Sequence, residues 1–276
     1  MFNPSAYQAH QLQGAVQRCT RYRKRILDIS QKVSALHIAP SFSAIEIVDL
    51  AYNILRVNPA CEIGGDLFLM SKGHGCMSLY VVLEDLGVLS KKDIDAYCTP
   101  GGRLGAHPDY GNPGIVSSTG SLGHGLGIAV GMAYGERLQG RKGIVYVLLS
   151  DGECQEGSTW EALMMAANLR LNNLVIMIDN NDFSGLERMS EGHPSFYPLK
   201  EKFEAFGCES CIVDGHDSGA LLTAVNMRQE EKPYVMVCRT TKGKGVSFME
   251  NEPIWHYRSP TADEYKKALN ELSSTQ

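Results

Sequence analysis

Two short apolar segments, each followed at once by polar residues, constrain the fold of this chain more than any other feature. Residues 144–149 and 174–178 are continuous apolar runs of strand length. Strands without polar alternation are typical of parallel sheets that helices cover on both faces. Residues 210–213 and 234–238 predict a third and a fourth strand of the same sheet.

Helical patterns alternate with these strands. Small residues predict a helix after 120–123, and apolar residues at helical spacing predict helices over 156–171 and 219–229. This alternation predicts an α/β fold, a doubly wound and mostly parallel sheet flanked by helices. Ligands of such sheets bind beyond the carboxyl ends of the strands.

The N-terminal part has a different pattern. Residues 12–33 and 43–55 repeat apolar side chains three or four positions apart, which predicts a helical N-terminal segment. We expect a single domain over residues 1–276, with 1–60 mainly helical and 260–276 a charged surface tail.

Composition excludes several classes of function. The net charge of −5 argues against non-specific nucleic-acid binding, which needs a basic face. No apolar run approaches the roughly 18 residues of a membrane span. Eight cysteines and a start without signal-peptide features predict reduced thiols and a cytoplasmic location. Cys208 and Cys211 lack the second pair that a zinc site needs, which favours a structural role.

The polar residues at the two strand ends predict a metal site. Asp151 follows the first run and precedes a helix, and Asn181 follows the second run 30 residues later. If the strands are neighbours, both side chains project into one crevice beside a helix N-terminus that favours phosphate. Oxygen donors of this kind, completed by a backbone carbonyl, phosphate and water, suit Mg²⁺. Taken singly, Asp-Gly and Asn-Asn mark turns; their pairing at two strand ends favours the metal site.

Four histidines narrow the chemistry. His74 and His107 have glycine or proline as neighbours, and His37 and His256 each lie three residues from a proline, which is typical of loops. A single histidine of this kind is usually a surface or hydrogen-bonded structural residue. Four such histidines taken together are more informative than any one of them.

The sequence also resembles a known family of enzymes. Asp151-Gly152, Glu156-Gly157 and Asn181 resemble the GDG…N signature of thiamine diphosphate enzymes. The four histidine contexts and residues 118–123 resemble, in the same order, the N-terminal part of transketolases. The similarity extends from about His10 to Tyr257, and its combination of motifs is more specific than the metal motif alone.

The resemblance implies a thiamine diphosphate-binding fold of the diphosphate-binding type and a set of site residues. Asp151, the Asn181 side chain and the backbone oxygen of Phe183 would hold Mg²⁺, with Ca²⁺ or Mn²⁺ as possible substitutes. The cofactor-binding residues would be His74, Gly120, Ser121, Leu122, Gly152, Glu153, Asn181, Lys242 and His256. The catalytic residues, in contact with the sugar, would be His37, His107 and His256.

These roles agree with transfer of a two-carbon ketol unit from a ketose to an aldose. A proton must leave one hydroxyl as a C–C bond breaks, and another must reach the acceptor carbonyl. Imidazoles suit both steps. Two departures from the family pattern are visible: Ser150 replaces the first glycine of GDG, and the segment 35–40 around His37 differs, which favours an unusual substrate.

The family also implies a partner. A single-chain transketolase continues with a pyrimidine-binding domain, whose glutamate activates the cofactor and whose basic residues grip a substrate phosphate. This sequence ends at Gln276, so we expect a separate C-terminal transketolase subunit in an α2β2 assembly, and sugar or sugar-phosphate substrates. The alternatives are the α subunit of a 2-oxo acid dehydrogenase E1 component, or a non-catalytic cofactor-binding subunit.

Overall fold

A computed structural model describes residues 4–33, 36–62, 64–229 and 231–274. Part of the unusual segment before His37, residues 34 and 35, and both ends of the predicted 1–276 domain lie outside these ranges. Three helices begin the chain: α1 (Pro4–Gln13), α2 (Ala15–Ser30) and α3 (Ile38–Asp49). A single π-helical turn, Leu50–Ile54, extends α3.

The remaining helices and strands alternate as the sequence predicts. In chain order they are β1 (Leu67–Met70), α4 (Cys76–Asp85), α5 (Lys91–Asp95), α6 (Gly125–Leu138), β2 (Val145–Ser150), α7 (Gly157–Asn168), β3 (Leu174–Asn180), β4 (Phe183–Ser184), β5 (Glu187–Arg188), α8 (Met189–Gly192), α9 (Leu199–Ala205), β6 (Glu209–Asp214), α10 (Ser218–Asn226), β7 (Tyr234–Arg239) and α11 (Ala262–Ser274). Among the described helices, none is long and apolar enough to cross a membrane.

Five strands form one parallel sheet in the order β1-β2-β3-β7-β6, and β4 and β5 form a small antiparallel hairpin. The predicted α/β fold is therefore confirmed. The register pairs Ser150 with Asp179, so β2 and β3 end side by side. This pairing brings the polar residues that follow both strands to one edge of the sheet.

Helices cover both faces of the sheet, which explains the uninterrupted apolar runs. Val145, Val147 and Leu149 pack in one core cluster with α6, α7 and α9, whereas Tyr146 and Leu148 pack in the other with α2, α3 and α4. Alternate residues of a strand point to opposite faces, and here both faces are dry.

The structure differs from the sequence prediction in two places. The edge strand β1 was not predicted, because four apolar residues between loops are too short a signal. The helix expected from residue 43 begins at Ile38 instead. Pro40 is compatible with this start, because the first turn of a helix has no intrahelical partner for the N–H that proline lacks. The predicted tail forms α11, which buries Ala268 and Leu272 and bonds to α2 through Tyr265 and Asp28.

The buried centre of the sheet makes a stability prediction. Ile176 lies fully buried in β3, and Ile212 on the edge strand β6 is 43% exposed. Ile176→Ala should lower the free energy of unfolding by about 2–5 kcal/mol through lost burial and a residual cavity. Ile212→Ala is the matched control and should cost less than about 1 kcal/mol. Urea unfolding followed by circular dichroism measures both; equal losses would contradict the assigned burial.

Candidate active site

The ends of β2 and β3 form the centre of the candidate site. Asp151 directly follows β2, and its backbone N–H donates to the carbonyl of Asp179 at 3.2 Å. Asn181 directly follows β3. The crevice that the sequence predicted between these residues is therefore the carboxyl edge of two adjacent parallel strands.

Asp151 is fully buried and held by backbone donors. Its Oδ1 accepts from the N–H of Gly152 at 2.8 Å, and its Oδ2 accepts from the N–H of Asp182 at 2.5 Å. Burial, and then the nearby Asp179 carboxylate, raise the pKa of Asp151 to about 7. Among the described residues no cation forms an ion pair with Asp151, so a bound metal ion would stabilise its charged form.

Asn181 lies between β3 and β4, and Phe183 is the first residue of β4. The Asn181 side-chain nitrogen donates to Ser43 Oγ at 3.4 Å and to Asp179 Oδ2 at 3.3 Å. These two contacts identify the nitrogen of the side-chain amide and therefore also its oxygen. That oxygen accepts from the N–H of Phe183 at 3.2 Å. Both residues are buried, beside Asp151 at the same sheet edge.

This donor set fits a hard divalent cation. It offers one carboxylate, one amide oxygen and a backbone carbonyl, the oxygen ligands that Mg²⁺ and Ca²⁺ prefer. The described residues contain no group of three or more His, Cys, Asp or Glu side chains with metal-binding geometry. A metal at this edge would therefore need further oxygens from water or a phosphorylated ligand.

A buried ion pair, which the sequence prediction missed, supports this edge. Lys72 and Asp179 are both fully buried and paired with each other. Asp179 also accepts from Ser43 Oγ at 2.5 Å and from the Thr240 hydroxyl, and Lys72 Nζ donates to the carbonyl of Pro40 at 3.0 Å. An aspartate at the end of a predicted buried strand needs a cationic partner, but no feature of the sequence identifies Lys72 as that partner.

The four predicted histidines meet around one small cavity. The ring centroid of His37 lies 5.3 Å from that of His256, 5.9 Å from His74 and 6.2 Å from His107. His74 and His256 are stacked with their centroids 5.5 Å apart. His37 lies at the N-terminus of α3 and His107 in a loop, whereas His74 and His256 lie in 3-10 turns that the sequence prediction described as loops.

Three of these imidazoles, those of His37, His74 and His256, are held neutral. Burial, and then the nearby His107 and Lys242, lower the pKa of His37 to about 4. Burial, and then Lys242, lower the pKa of His256 to about 3, and burial holds the pKa of His74 well below its usual range. A neutral imidazole has one donor and one acceptor nitrogen, which suits hydroxyl and carbonyl groups.

Lys242 fixes the tautomer of His256. Its Nζ is buried, donates to the carbonyl of Gly185 at 2.7 Å and lies 2.9 Å from His256 Nδ1. Since Nδ1 faces an ammonium or amine donor, Nδ1 is the acceptor and Nε2 carries the proton. Burial, and then the repulsion of Lys72, lower the pKa of Lys242 to about 7. An anionic ligand nearby would favour the charged ammonium.

The cavity has a volume of about 220 Å³ and joins the histidines to the sheet edge. Its other lining residues include Gly120, Leu122, Ser150 and Gly152. A Cβ on Gly120, which has a φ of +147°, would lie 2.9 Å from His107 Cγ. Glycine at this position therefore allows the His107 side chain to lie directly against the backbone of residue 120.

Ser121 and Glu153, two of the predicted cofactor-binding residues, do not line the cavity. Ser121 is exposed beside the cavity rather than lining it. The Glu153 carboxylate is fully buried and accepts from the N–H of Gly123 at 2.9 Å and from the Ser71 hydroxyl. Ser150, the departure from the glycine pattern, accepts from the N–H of Glu153 at 3.2 Å and thereby caps the turn after β2.

Tyr257 is a cavity residue that the sequence prediction did not include. Its ring centroid lies 4.4 Å from that of His256 and 5.4 Å from that of His37, yet the residue is 60% exposed. Its position directly after the predicted His256 was the available signal. It forms one wall at the mouth of the cavity.

Comparisons with known proteins identify the family of this chain. Residues 17–273 match the family model described as transketolase, thiamine diphosphate binding domain. The chain is 37% identical over 256 residues to one subunit of the apulose-4-phosphate transketolase of Phocaeicola vulgatus, covering 91% of each chain. It is 33% identical to a 6-deoxy-6-sulfo-D-fructose transketolase subunit of a Clostridium species, covering 91% of this chain and 93% of the relative.

A solved structure gives the same fold. The transketolase of Campylobacter jejuni superposes with a TM-score of 0.85 at 26% identity over 96% of this chain. The superposed part is 43% of that transketolase chain, so the present chain spans less than half the length of the solved enzyme.

The neutral histidines predict how stability depends on pH. The folded chain holds the pKa of His37 at about 4, whereas an unfolded histidine titrates near about 6.5. Between these values the unfolded state binds more protons, so stability falls as the pH is lowered from about 6.5 to 4. His37→Asn should make this loss less steep, by at most about 1.4 kcal/mol per pH unit for one proton.

Urea unfolding at several pH values measures this dependence. His193→Asn is the control, because His193 is exposed and away from the cavity. Parallel pH profiles for the wild type and His37→Asn would show that His37 is not held neutral.

Proposed function

The chain belongs to the transketolase family, through its thiamine diphosphate binding domain, and we propose that it is the cofactor- and Mg²⁺-binding half of a two-subunit transketolase. In this proposal the complex transfers a two-carbon ketol unit from an anionic ketose to an aldose. The observation that carries it is the meeting of an oxygen-donor site at the sheet edge with four histidines around one adjoining cavity.

The sheet edge would hold the metal and the diphosphate. Asp151, the Asn181 amide oxygen and the Phe183 carbonyl would bind Mg²⁺, because they supply hard oxygen donors that include a buried carboxylate. Gly152, with no side chain, lines the cavity next to this edge. Lys242 and His74 would stabilise the diphosphate, while Gly120, Leu122, Ser121 and Glu153 would shape or support the remainder of the cofactor pocket.

The histidines would handle the protons of the sugar. When bound, thiamine diphosphate supplies the electron sink for cleavage of the donor's C–C bond. His37, His107 and His256 would bind the hydroxyl and carbonyl oxygens and move the proton that leaves one and reaches the other. The support is that the lowered pKa values keep His37 and His256 neutral at physiological pH, so each ring has one nitrogen that donates and one that accepts a hydrogen bond with the sugar's oxygens.

A second, different chain would complete the site. Two relatives that match over most of their length are each named as a subunit of a transketolase. We therefore propose a partner that carries the pyrimidine-binding domain and, with two copies of each chain, an α2β2 assembly in the cytoplasm. Tyr257, 60% exposed at the mouth of the cavity, lies on the surface that such a partner would cover.

The substrate would carry a negative charge. One relative is named for a sugar phosphate and another for a sulfonated sugar. Among the described residues of the site, the two lysines are engaged internally, Lys72 with Asp179 and Lys242 with Gly185 and His256. Because neither is free for a substrate anion, the partner would supply the groups that bind it.

The two alternatives, a 2-oxo acid dehydrogenase chain and a non-catalytic cofactor-binding chain, are not favoured. Four histidines around the cavity suit a polyhydroxylated sugar rather than a small keto acid, and the metal-binding side chains are all present. Activity with a ketose phosphate but not with pyruvate in the reconstituted complex would separate these interpretations.

Reconstitution tests the two-subunit proposal. This chain alone should give turnover near the uncatalysed background, and so should the partner alone. A mixture should transfer the ketol unit from a ketose phosphate to an aldose in a coupled spectrophotometric assay, with maximal rate at equal amounts of the two chains. Robust turnover by this chain alone would refute the proposal.

Metal removal and ligand substitution test the sheet-edge site. Chelation should abolish activity, and Mg²⁺, Ca²⁺ or Mn²⁺ should restore it. Asp151→Asn and Asn181→Ala should each weaken Mg²⁺ binding in the presence of thiamine diphosphate by more than about 100-fold, beyond the range typical of residues outside the ligand set. Isothermal titration calorimetry measures the affinity.

The matched controls for these two variants lie on the exposed side of α11. Asp263→Asn and Asn270→Ala make the same chemical changes at exposed positions and should leave Mg²⁺ affinity unchanged. Unchanged affinity in Asn181→Ala as well would exclude Asn181 from the metal site and favour a non-catalytic role.

A further inference from the structure

His216 has no role in the proposed chemistry, yet both of its ring nitrogens are bonded. It follows β6, and its Nε2 accepts from the backbone N–H of Thr241 at 2.8 Å. Its Nδ1 lies 2.9 Å from Glu46 Oε2. Since Nε2 must accept from an amide, the proton of the neutral ring is on Nδ1 and is donated to Glu46.

Glu46 is itself anchored to the helices below the sheet. Arg23 binds it through two nearly parallel hydrogen bonds, from Nη1 to Oε1 at 2.7 Å and from Nη2 to Oε2 at 2.8 Å. The same guanidinium donates to the carbonyl of Phe42 at 2.8 Å. Arg23 and Glu46 are buried, and this paired geometry leaves little freedom to the carboxylate. His216 therefore bridges a rigid anchor in α2 and α3 to the segment after β7.

The main chain at Gly215, next to His216, lies very close to the segment that follows β7. Gly215 donates its N–H to the carbonyl of Arg239 at 2.8 Å. A Cβ at Gly215 would overlap the methyl group of Thr240 and lie 3.0 Å from the Arg239 carbonyl oxygen. Glycine at 215 thus allows the two loops to touch, and His216 then binds the next amide along the chain.

The residue that follows this amide is Lys242. Its Nζ reaches the Gly185 carbonyl and His256 Nδ1, the contact that fixes the tautomer of the catalytic histidine. The backbone on the other side of Lys242 is held by the N–H of Gly243, which donates to the Ala39 carbonyl at 3.2 Å. Thr241 and Gly243 are therefore the two backbone anchors on either side of Lys242.

We propose that His216 is a positioning residue, which acts through the Thr241 amide to hold Lys242 against His256 and towards the diphosphate. The part that concerns the diphosphate rests on the proposed function; the part that concerns His256 does not. His216 touches neither substrate nor cofactor in this proposal. Its contribution is the direction of the Lys242 side chain and, through it, the Nε2–H tautomer of His256.

Two substitutions of similar size test the role of His216 Nε2 as the hydrogen-bond acceptor of the Thr241 amide. His216→Gln keeps an oxygen that can accept from the Thr241 amide near the position of Nε2, whereas His216→Leu leaves that amide without a partner. His216→Asn, too short to reach Thr241, replaces the leucine variant if that protein does not fold. His193→Leu, at an exposed histidine, is the matched control.

The first measurement uses the full chain without cofactor. Nitrogen NMR of histidine-labelled protein should show His256 as the Nε2–H tautomer in the wild type, His216→Gln and His193→Leu. In His216→Leu, or His216→Asn, the His256 signals should shift towards a mixture of tautomers, as they should in Lys242→Ala. An unchanged His256 signal in the leucine or asparagine variant, with a changed signal in Lys242→Ala, overturns the proposal.

The second measurement uses the complex reconstituted with the partner chain. Loss of the acceptor should raise the thiamine diphosphate dissociation constant by up to about tenfold, the effect of losing one hydrogen bond at a part-buried amide. The glutamine variant should stay within about threefold of the wild type. In the Lys242→Ala background the His216→Leu substitution should add little, because coupled residues are non-additive.

The outcomes separate the two proposals. Additive effects of His216→Leu and Lys242→Ala would mean that His216 acts on general stability rather than through Lys242. If Lys242→Ala itself leaves cofactor affinity unchanged while the tautomer of His256 responds as expected, the proposed diphosphate role of Lys242 fails and the positioning role of His216 stands.

Discussion

The ion pair between Lys72 and Asp179 holds together the part of the molecule on which the candidate site depends. Both side chains are fully buried, so neither charge can be solvated if the other is lost. Asp179 also binds Ser43 and Thr240, and Lys72 binds the Pro40 carbonyl. The ion pair thus joins the ends of three strands to the first two turns of α3. Because Asp179 is satisfied by these partners, the neighbouring Asp151 remains as the carboxylate that needs a cation.

This arrangement gives the cavity two ends of different character. At the sheet edge a buried carboxylate and neutral oxygens favour a metal ion. Burial and the nearby Asp179 raise the pKa of Asp151 to about 7, because the negative charge of Asp151 is unfavourable without a cation beside it. At the other end burial keeps the pKa values of His37 and His256 far below neutrality. Lys242 lies on the histidine side, and its lowered pKa makes it responsive to an anion. In the proposed function, metal, diphosphate and hydroxyl groups would therefore have distinct places in one small volume.

The sequence predicted the features that are encoded locally. Uninterrupted apolar runs identified β2, β3 and β7, because a strand buried on both faces needs them, and a shorter segment identified the edge strand β6. Strand ends and the register of parallel neighbours then placed Asp151 and Asn181 in one crevice. The short edge strand β1 had too little signal, and the pairing of Lys72 with Asp179 had none, since the two residues are 107 positions apart. Family resemblance suggested the histidines; only the fold shows their burial and hence their charge state.

The N-terminal helical segment contributes to the site, although it is separated in sequence from the strands that carry the other site residues. Its helices precede the sheet in sequence, yet His37 at the start of α3 reaches the cavity. Backbone carbonyls in the first turn of α3 also accept hydrogen bonds from two other segments of the chain. The Pro40 carbonyl accepts from Lys72, and the Ala39 carbonyl accepts from the amide after Lys242. Further along the same helix, Ser43 binds Asp179 and Glu46 binds His216. Since α3 is bonded to the metal side through Asp179 and to the histidine side through the segment around Lys242, a shift of this helix would move both sides together. The helical segment and the sheet are in this sense one catalytic unit.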